Sequence, residues 1–173
     1  MKKVIIAISI SCLISLSAFA QSSKLKYYGD VEMGDQILIS NGWKGNAISL
    51  NTTHGCSFIN NTLIAGIGVG YMYSLTNEDS FLPLYLEGKY RFTDEYHTLF
   101  VSFVSLRLGG QLDLSRVDNA FTVSPAIGCE ISNLFIRAGF QFIDGGTQVD
   151  NGRIYYNDNY HYYSVVFSVG VHF

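Results

Sequence analysis

Leu134-Phe135-Ile136-Arg137-Ala138-Gly139-Phe140-Gln141-Phe142 is the stretch that decides how this chain folds. Leu134, Ile136, Ala138, Phe140 and Phe142 alternate with Phe135, Arg137, Gly139 and Gln141. A repeat of two residues is the period of an extended strand, whose side chains point to opposite faces in turn. The pattern recurs. Phe121, Val123, Pro125, Ile127, Cys129 and Ile131 alternate with Thr122, Ser124, Ala126, Gly128 and Glu130. Leu84, Leu86, Gly88, Tyr90 and Phe92 alternate with Tyr85, Glu87, Lys89 and Arg91. Leu63, Ala65, Ile67, Val69, Tyr71 and Tyr73 alternate with Ile64, three glycines and Met72. Tyr163 to Phe173 repeats the theme with Ser164, Ser168, Gly170 and His172 on the second face. One face is apolar and the other is small or polar.

Eight segments read this way: Leu25–Gly34, Ala47–Phe58, Leu63–Tyr73, Leu82–Phe92, Thr98–Leu108, Phe121–Ile131, Leu134–Ile143 and Tyr162–Phe173. Each is close to the roughly 9–11 residues that carry a tilted strand across a bilayer. The links alternate in length. Ile59–Thr62, Thr93–His97 and Ser132–Asn133 are short, whereas Asp35–Asn46, Ser74–Phe81, Gly109–Ala120 and Asp144–His161 are long. An up-and-down barrel with one trimmed rim and one elaborated rim produces this alternation.

The charges decide which way the barrel faces. Asp30, Glu32, Glu87, Lys89, Arg91, Arg107, Glu130 and Arg137 sit on the face opposite the apolar stripe, four of each sign. An exported soluble barrel that carries a ligand turns its charges outward, while a membrane barrel turns them in. An eight-stranded barrel has room inside only for side chains. Equal numbers of acids and bases can pair there, which isolated buried charges could not do without great cost. The set is therefore read as a structural network filling the lumen, with a gated polar path for small ions as the sharper alternative. Closing the sheet also satisfies every backbone group, as lipid demands.

Composition agrees. Of 173 residues, 48% are hydrophobic and only 14% charged, below the ~25% charged of an ordinary soluble domain. Disorder is excluded by the apolar content. Met1-Lys2-Lys3, the apolar run Val4 to Leu16 and the small residues Ala18 and Ala20 form a secretory signal over residues 1–20. Cys12 within it is read as packing. The barrel domain is then residues 21–173. Losing Lys2 and Lys3 takes the 11 basic side chains to nine, against 14 acidic ones. That balance gives no electrostatic reason to bind nucleic acid.

Aromatic residues gather at strand ends. Phe58, Tyr90, Phe92 and Phe173 fall near one rim. Tyr71, Tyr73, Phe140, Phe142 and Tyr163 fall near the other, with Phe81, Phe121 and Tyr162. Membrane barrels carry such girdles at both interfaces. Three passages carry a wider likeness: Ser49-Leu50-Asn51-Thr52-Thr53-His54-Gly55 leading to Ala65-Gly66-Ile67-Gly68-Val69-Gly70-Tyr71; Leu82 to Phe92 followed by Phe100-Val101-Ser102-Phe103; and the last strand closing on Phe173. In that order they resemble the small eight-stranded outer-membrane β-barrel proteins of the OmpA/OmpX type, within the outer-membrane-protein β-barrel domain family. The resemblance covers residues 21–173. It implies the fold and the outer membrane of a Gram-negative-type envelope, with both termini periplasmic. It also implies that the strand ending at Phe173 is read by the outer-membrane assembly machinery. It implies no shared activity, since the group includes anchors, adhesins, protective proteins and a few lipid-modifying enzymes.

Sites of chemistry are few. His54 reads as an outward interfacial side chain, His97 as a turn residue and His172 as inward. His161 stands at the edge of the longest loop, with Asp158 nearby and Ser164 three residues on. Positions three apart in a strand point to opposite faces, so His161 and Ser164 do not form a catalytic pair. No ligand-like spacing of His, Cys or Asp appears, so neither a metal nor another cofactor is expected. Cys56 and Cys129 fall on the apolar stripe in non-adjacent strands and read as small apolar groups rather than a disulfide. The loop 144–161, rich in tyrosine, asparagine and glycine, suits an adaptable contact surface for a ligand at the cell surface. The expectation is an all-β, eight-stranded antiparallel up-and-down barrel embedded in outer-membrane lipid. Its role is a non-catalytic envelope structural or surface-interaction protein. The alternatives are an outer-membrane lipid-modifying hydrolase or acyltransferase and a soluble ligand-carrying barrel.

Overall fold

The computed structural model describes residues 25–39, 45–59, 61–76, 78–92, 100–114, 119–145, 148–150, 153–155 and 160–173. The signal segment, His97, Asp158 and residues 146–147, 151–152 and 156–159 of the loop 144–161 lie outside the described residues.

Among the described residues ten strands are present: β1 (Lys26–Leu38), β2 (Gly45–Phe58), β3 (Leu63–Ser74), β4 (Ser80–Arg91), β5 (Phe100–Asp113), β6 (Asn119–Ile131), β7 (Leu134–Gly145), β8 (Gln148–Asp150), β9 (Arg153–Tyr155) and β10 (Tyr160–His172). Eight of them form one closed antiparallel sheet in the order β1-β10-β7-β6-β5-β4-β3-β2. The remaining two, β8 and β9, pair as a small hairpin inside the longest link. Each barrel strand pairs with its neighbours in sequence, and β10 returns to β1 to close the cylinder.

Two strands run further than the alternation suggests. The pattern places the end of β1 at Gly34, yet pairing continues to Leu38 against Gly45 and Ser164. Likewise β5 continues from Leu108 to Asp113, held by Phe81–Tyr85 of β4 and its partners on β6. Both extensions lie where glycine or a charge interrupts the apolar face. The backbone ladder carries the strand past the interruption because hydrogen bonding does not depend on the side chain. Asp35 and Asn46, assigned to a link by the pattern, are therefore strand residues.

The outer wall is apolar over most of its height. Met33, Leu50, Ile67, Leu86, Ile127, Ile136 and Val169 are all exposed on it. The interior holds the charges, together with a group of large side chains that alternation alone did not place there as filling. Phe103 and Phe135 are buried inside, joined by Tyr28, Tyr85, Ile64 and Met72. Their rings fit because the facing positions are glycines. A Cβ added at Gly128 would strike the Phe103 ring, at Gly170 the Phe135 ring, and at Gly68 the Tyr85 ring.

The cylinder is sealed at its last residue. Gly29 and Phe173 exchange backbone bonds of 3.0 and 2.8 Å. On the outside, the Phe173 ring covers Gly29 so closely that a Cβ there would sit 2.6 Å from it. Tyr27 and His54 flank the ring, with centroids 6.4 Å from it in each case. The hydroxyl of Tyr27 lies 2.6 Å from Nδ1 of His54.

Candidate functional site

The lumen is the most organised part of the molecule. The eight charges of the inner face point into it and are buried, from Asp30 at 0% exposed to Arg107 and Arg137 at 6%. They divide into two layers.

The middle layer joins Glu32 of β1, Glu87 of β4, Arg107 of β5 and Arg137 of β7. Arg107 donates to Glu87 Oε2 through Nε at 3.1 Å and Nη2 at 3.0 Å. Its Nη1 donates to Glu32 Oε1. Arg137 reaches both acids, with Nη2 3.3 Å from Glu32 Oε1 and Nη1 3.6 Å from Glu87 Oε1. Neutral donors complete the acids' shells. Asn51 and Ser168 donate to Glu32 at 3.1 and 3.3 Å, and Thr53 donates to Glu87 at 3.1 Å. The Arg107 guanidinium also lies over the Tyr85 ring, 4.4 Å from its centroid.

The second layer lies nearer the short-turn rim. Lys89 Nζ donates to Tyr28 Oη at 2.6 Å, and Tyr28 in turn donates to Asp30 Oδ2 at 2.8 Å. Lys89 also lies 3.8 Å from Asp30 and 3.4 Å from Glu130. Arg91 pairs with Glu130 at 2.8 Å. Three rings surround the ammonium of Lys89: Tyr28, Phe103 and Phe135, at 4.9, 4.7 and 4.8 Å. A cation on ring faces in a dry site gains from their quadrupoles. The buried lysine thus has both carboxylates and π faces in place of water. Above the charges the lumen turns neutral, with Gln36 donating to Ser164 Oγ at 2.5 Å.

The girdle residues lie at the two rims. Tyr71, Tyr90, Phe92, Phe140, Phe142, Tyr163 and Phe173 are exposed on the outer face, whereas Phe58 and Tyr73 are half-buried. Tyr90 packs edge-on against Phe92 and Phe142 against Tyr163, at 5.4 and 5.5 Å. Cys56 and Cys129 are free thiols, both half-buried. At the long-loop rim, His161 Nδ1 lies 3.2 Å from Asp144 Oδ1, both well exposed. Ser164 faces the lumen and is fully buried, so the structure separates it from His161. Among the described residues, no group of three potential metal ligands comes together.

Asp35 is the residue that sequence reasoning missed. Its carboxylate is exposed on the outer wall, between Met33 and Ile37. Counting the alternation two places past Met33 reveals it, because Asp35 keeps the outward phase of Val31 and Met33.

No family model matches the sequence, and no curated protein matches it. Solved structures do match the fold. Neisserial surface protein A is similar with a TM-score of 0.63 and 13% identity, over 86% of this chain and 97% of that one. The outer-membrane enzyme PagL is similar with a TM-score of 0.53 and 16% identity, over 80% of this chain and 97% of that one. The chain thus has the fold of the small eight-stranded outer-membrane β-barrels, with the apolar face out and the ionised face in. Identities this low carry the fold and not the activity.

Proposed function

We propose that this protein is an integral outer-membrane barrel with a closed lumen. It serves the envelope as a structural or surface-interaction protein rather than as a catalyst. The observation that carries the reading is the ion-paired network spanning the interior, set inside a mostly apolar wall. Such a wall suits hydrocarbon. A lumen crossed by mutually neutralising side chains contributes rigidity, and an exposed apolar wall around it speaks against the soluble carrier. The secretory signal over residues 1–20 and periplasmic termini belong to this reading. So does recognition of the strand ending at Phe173 by the assembly machinery. The loop 144–161, which includes the β8–β9 hairpin, is the segment proposed to meet a surface ligand.

Fractionation tests the reading. The protein is expected in the membrane fraction, released only by detergent, and to migrate differently on gels before and after boiling. A folded protein recovered from the soluble fraction without detergent refutes it. In a planar bilayer the wild-type barrel is expected to pass no steady current. Glu32→Ala combined with Arg107→Ala is expected to open a measurable one.

One observation favours a second reading. The His161–Asp144 pair at the long-loop rim supplies an imidazole with an orienting carboxylate at the depth of lipid headgroups, and PagL with its similar fold is an enzyme. Release of fatty acid or acyl transfer on outer-leaflet lipid, abolished by His161→Ala, establishes that reading in place of the first.

A further inference from the structure

The outer wall contains a groove of about 970 Å³, lined among others by Asp35, Phe167, Ala138, Ile127 and Val104. These five positions form one continuous inter-strand row. Asp35 pairs with Phe167 on β10, Phe167 with Ala138 on β7, Ala138 with Ile127 on β6, and Ile127 with Val104 on β5. Because barrel strands tilt, a row perpendicular to them descends the wall as it goes round. This one starts a few residues below Tyr163, in the aromatic band of the long-loop rim, and ends beside Phe92 and Phe100 near the short-turn rim. Ala138, Gly128, Cys129 and Ser102 leave its floor low, while Met33, Phe167 and Val169 stand above it. The groove follows the convex wall from β1 round to β5 and is almost wholly apolar, with the Asp35 carboxylate at its upper end.

That carboxylate is out of place. An acid on the lipid face of a barrel costs more the deeper it lies. Lys89, Arg91, Arg107 and Arg137 all face the lumen and are committed there. Among the described residues no basic side chain stands beside Asp35 on the outer wall. A cationic group on an occupant of the groove would match it.

We propose that this groove binds a lipid-like amphiphile carrying a protonated amine near the root of its hydrocarbon chain. The amine pairs with Asp35, and the chain descends along Phe167, Ala138 and Ile127. Charge complementarity selects the head, and the continuous apolar floor accepts the tail. The proposal rests on the membrane-embedded reading of the barrel.

The full barrel, labelled at its methionine methyls and refolded in micelles, is titrated with hexadecylamine and with hexadecanol. Met33 lines the groove and is 65% exposed, whereas Met72 is buried in the lumen and serves as internal reference. The Met33 methyl signal is expected to shift at about tenfold lower concentration of the amine than of the alcohol, the advantage of one charge-assisted bond. The Met72 signal stays unmoved. Asp35→Asn, nearly isosteric, erases the difference. Asp35→Glu retains it, and Ala138→Phe weakens both probes. Equal response to amine and alcohol in the wild type overturns the proposal. So does a preference that survives Asp35→Asn, or a dimer that dissociates on that substitution and so identifies a second copy as the occupant. A barrel that folds only in micelles yet shows no amine preference sinks the groove alone. One that folds without detergent sinks the membrane reading as well.

Discussion

Glu32 and Arg107 form an ion pair across the full diameter of the barrel. Glu32 stands on β1 and Arg107 on β5, four strands away whichever way the sheet is followed. Neighbouring strands cannot make this contact, so it exists only once the cylinder has closed. Arg107 also serves Glu87 on the adjacent strand, which makes it the hub of the middle layer.

Removing that hub leaves two acids buried without their main counter-charge. Arg107→Ala is expected to cost about 3–5 kcal/mol, the usual result of orphaning a buried charge. Urea unfolding of the refolded barrel in detergent measures it. Arg107→Lys is expected to recover part of the loss, because an ammonium restores the charge but not the two-sided geometry.

Lys89 offers a sharper separation of charge from packing. Lys89→Met keeps the aliphatic stem among Tyr28, Phe103 and Phe135 but removes the ammonium that balances Asp30. Destabilisation of about 3 kcal/mol is expected. Adding Asp30→Asn is expected to restore part of it. A double-mutant cycle from denaturant midpoints gives the coupling, and independent effects of the two changes would contradict the pairing.

Much of this architecture was legible in the residues, for a physical reason. A strand with lipid on one side and a packed lumen on the other has a strict period of two. Charges in phase with the inner face, such as Glu87, Lys89 and Arg91, are buried. Phe135 and Tyr85 hold the inner phase of the alternation, but their packing as filling is not legible in it, because an eight-stranded lumen must be filled as well as neutralised. Composition of a face cannot show which glycine on the next strand receives a ring. Asp35 was missed because a charge after Gly34 reads as the start of a loop, whereas the ladder to β2 and β10 runs on to Leu38. The pairing of His161 with Asp144 required the β7–β10 register, in which the two residues are direct partners.

The seam at Phe173 is expected to govern closure more than final stability. Phe173→Ala removes the ring contacts with Tyr27 and His54, worth about 1 kcal/mol together at an exposed site. It leaves the backbone bonds to Gly29 in place. The folded fraction on an unboiled gel is expected to rise more slowly during refolding, with only a small change in the denaturant midpoint. A large midpoint change with an unaltered refolding rate would point instead to a purely stabilising ring.

Interior glycines are expected to resist substitution in proportion to the ring above them. Gly170→Val drives a side chain into Phe135 and is expected to destabilise by about 1–3 kcal/mol, as overpacking does. Combining it with Phe135→Ala is expected to relieve part of that clash. The same denaturant titration reads both variants.

Those ring-on-glycine contacts also act as a key for alignment. Phe103 finds its bare backbone at Gly128, Phe135 at Gly170 and Tyr85 at Gly68, each on a different strand. If the β5–β6 pair slid by two residues, Phe103 would meet Ala126 or Glu130 instead of its notch. The three notches therefore reject mis-stepped hairpins one by one, so a chain assembling in oil, where greasy exteriors slide past each other freely, is steered to a single rung.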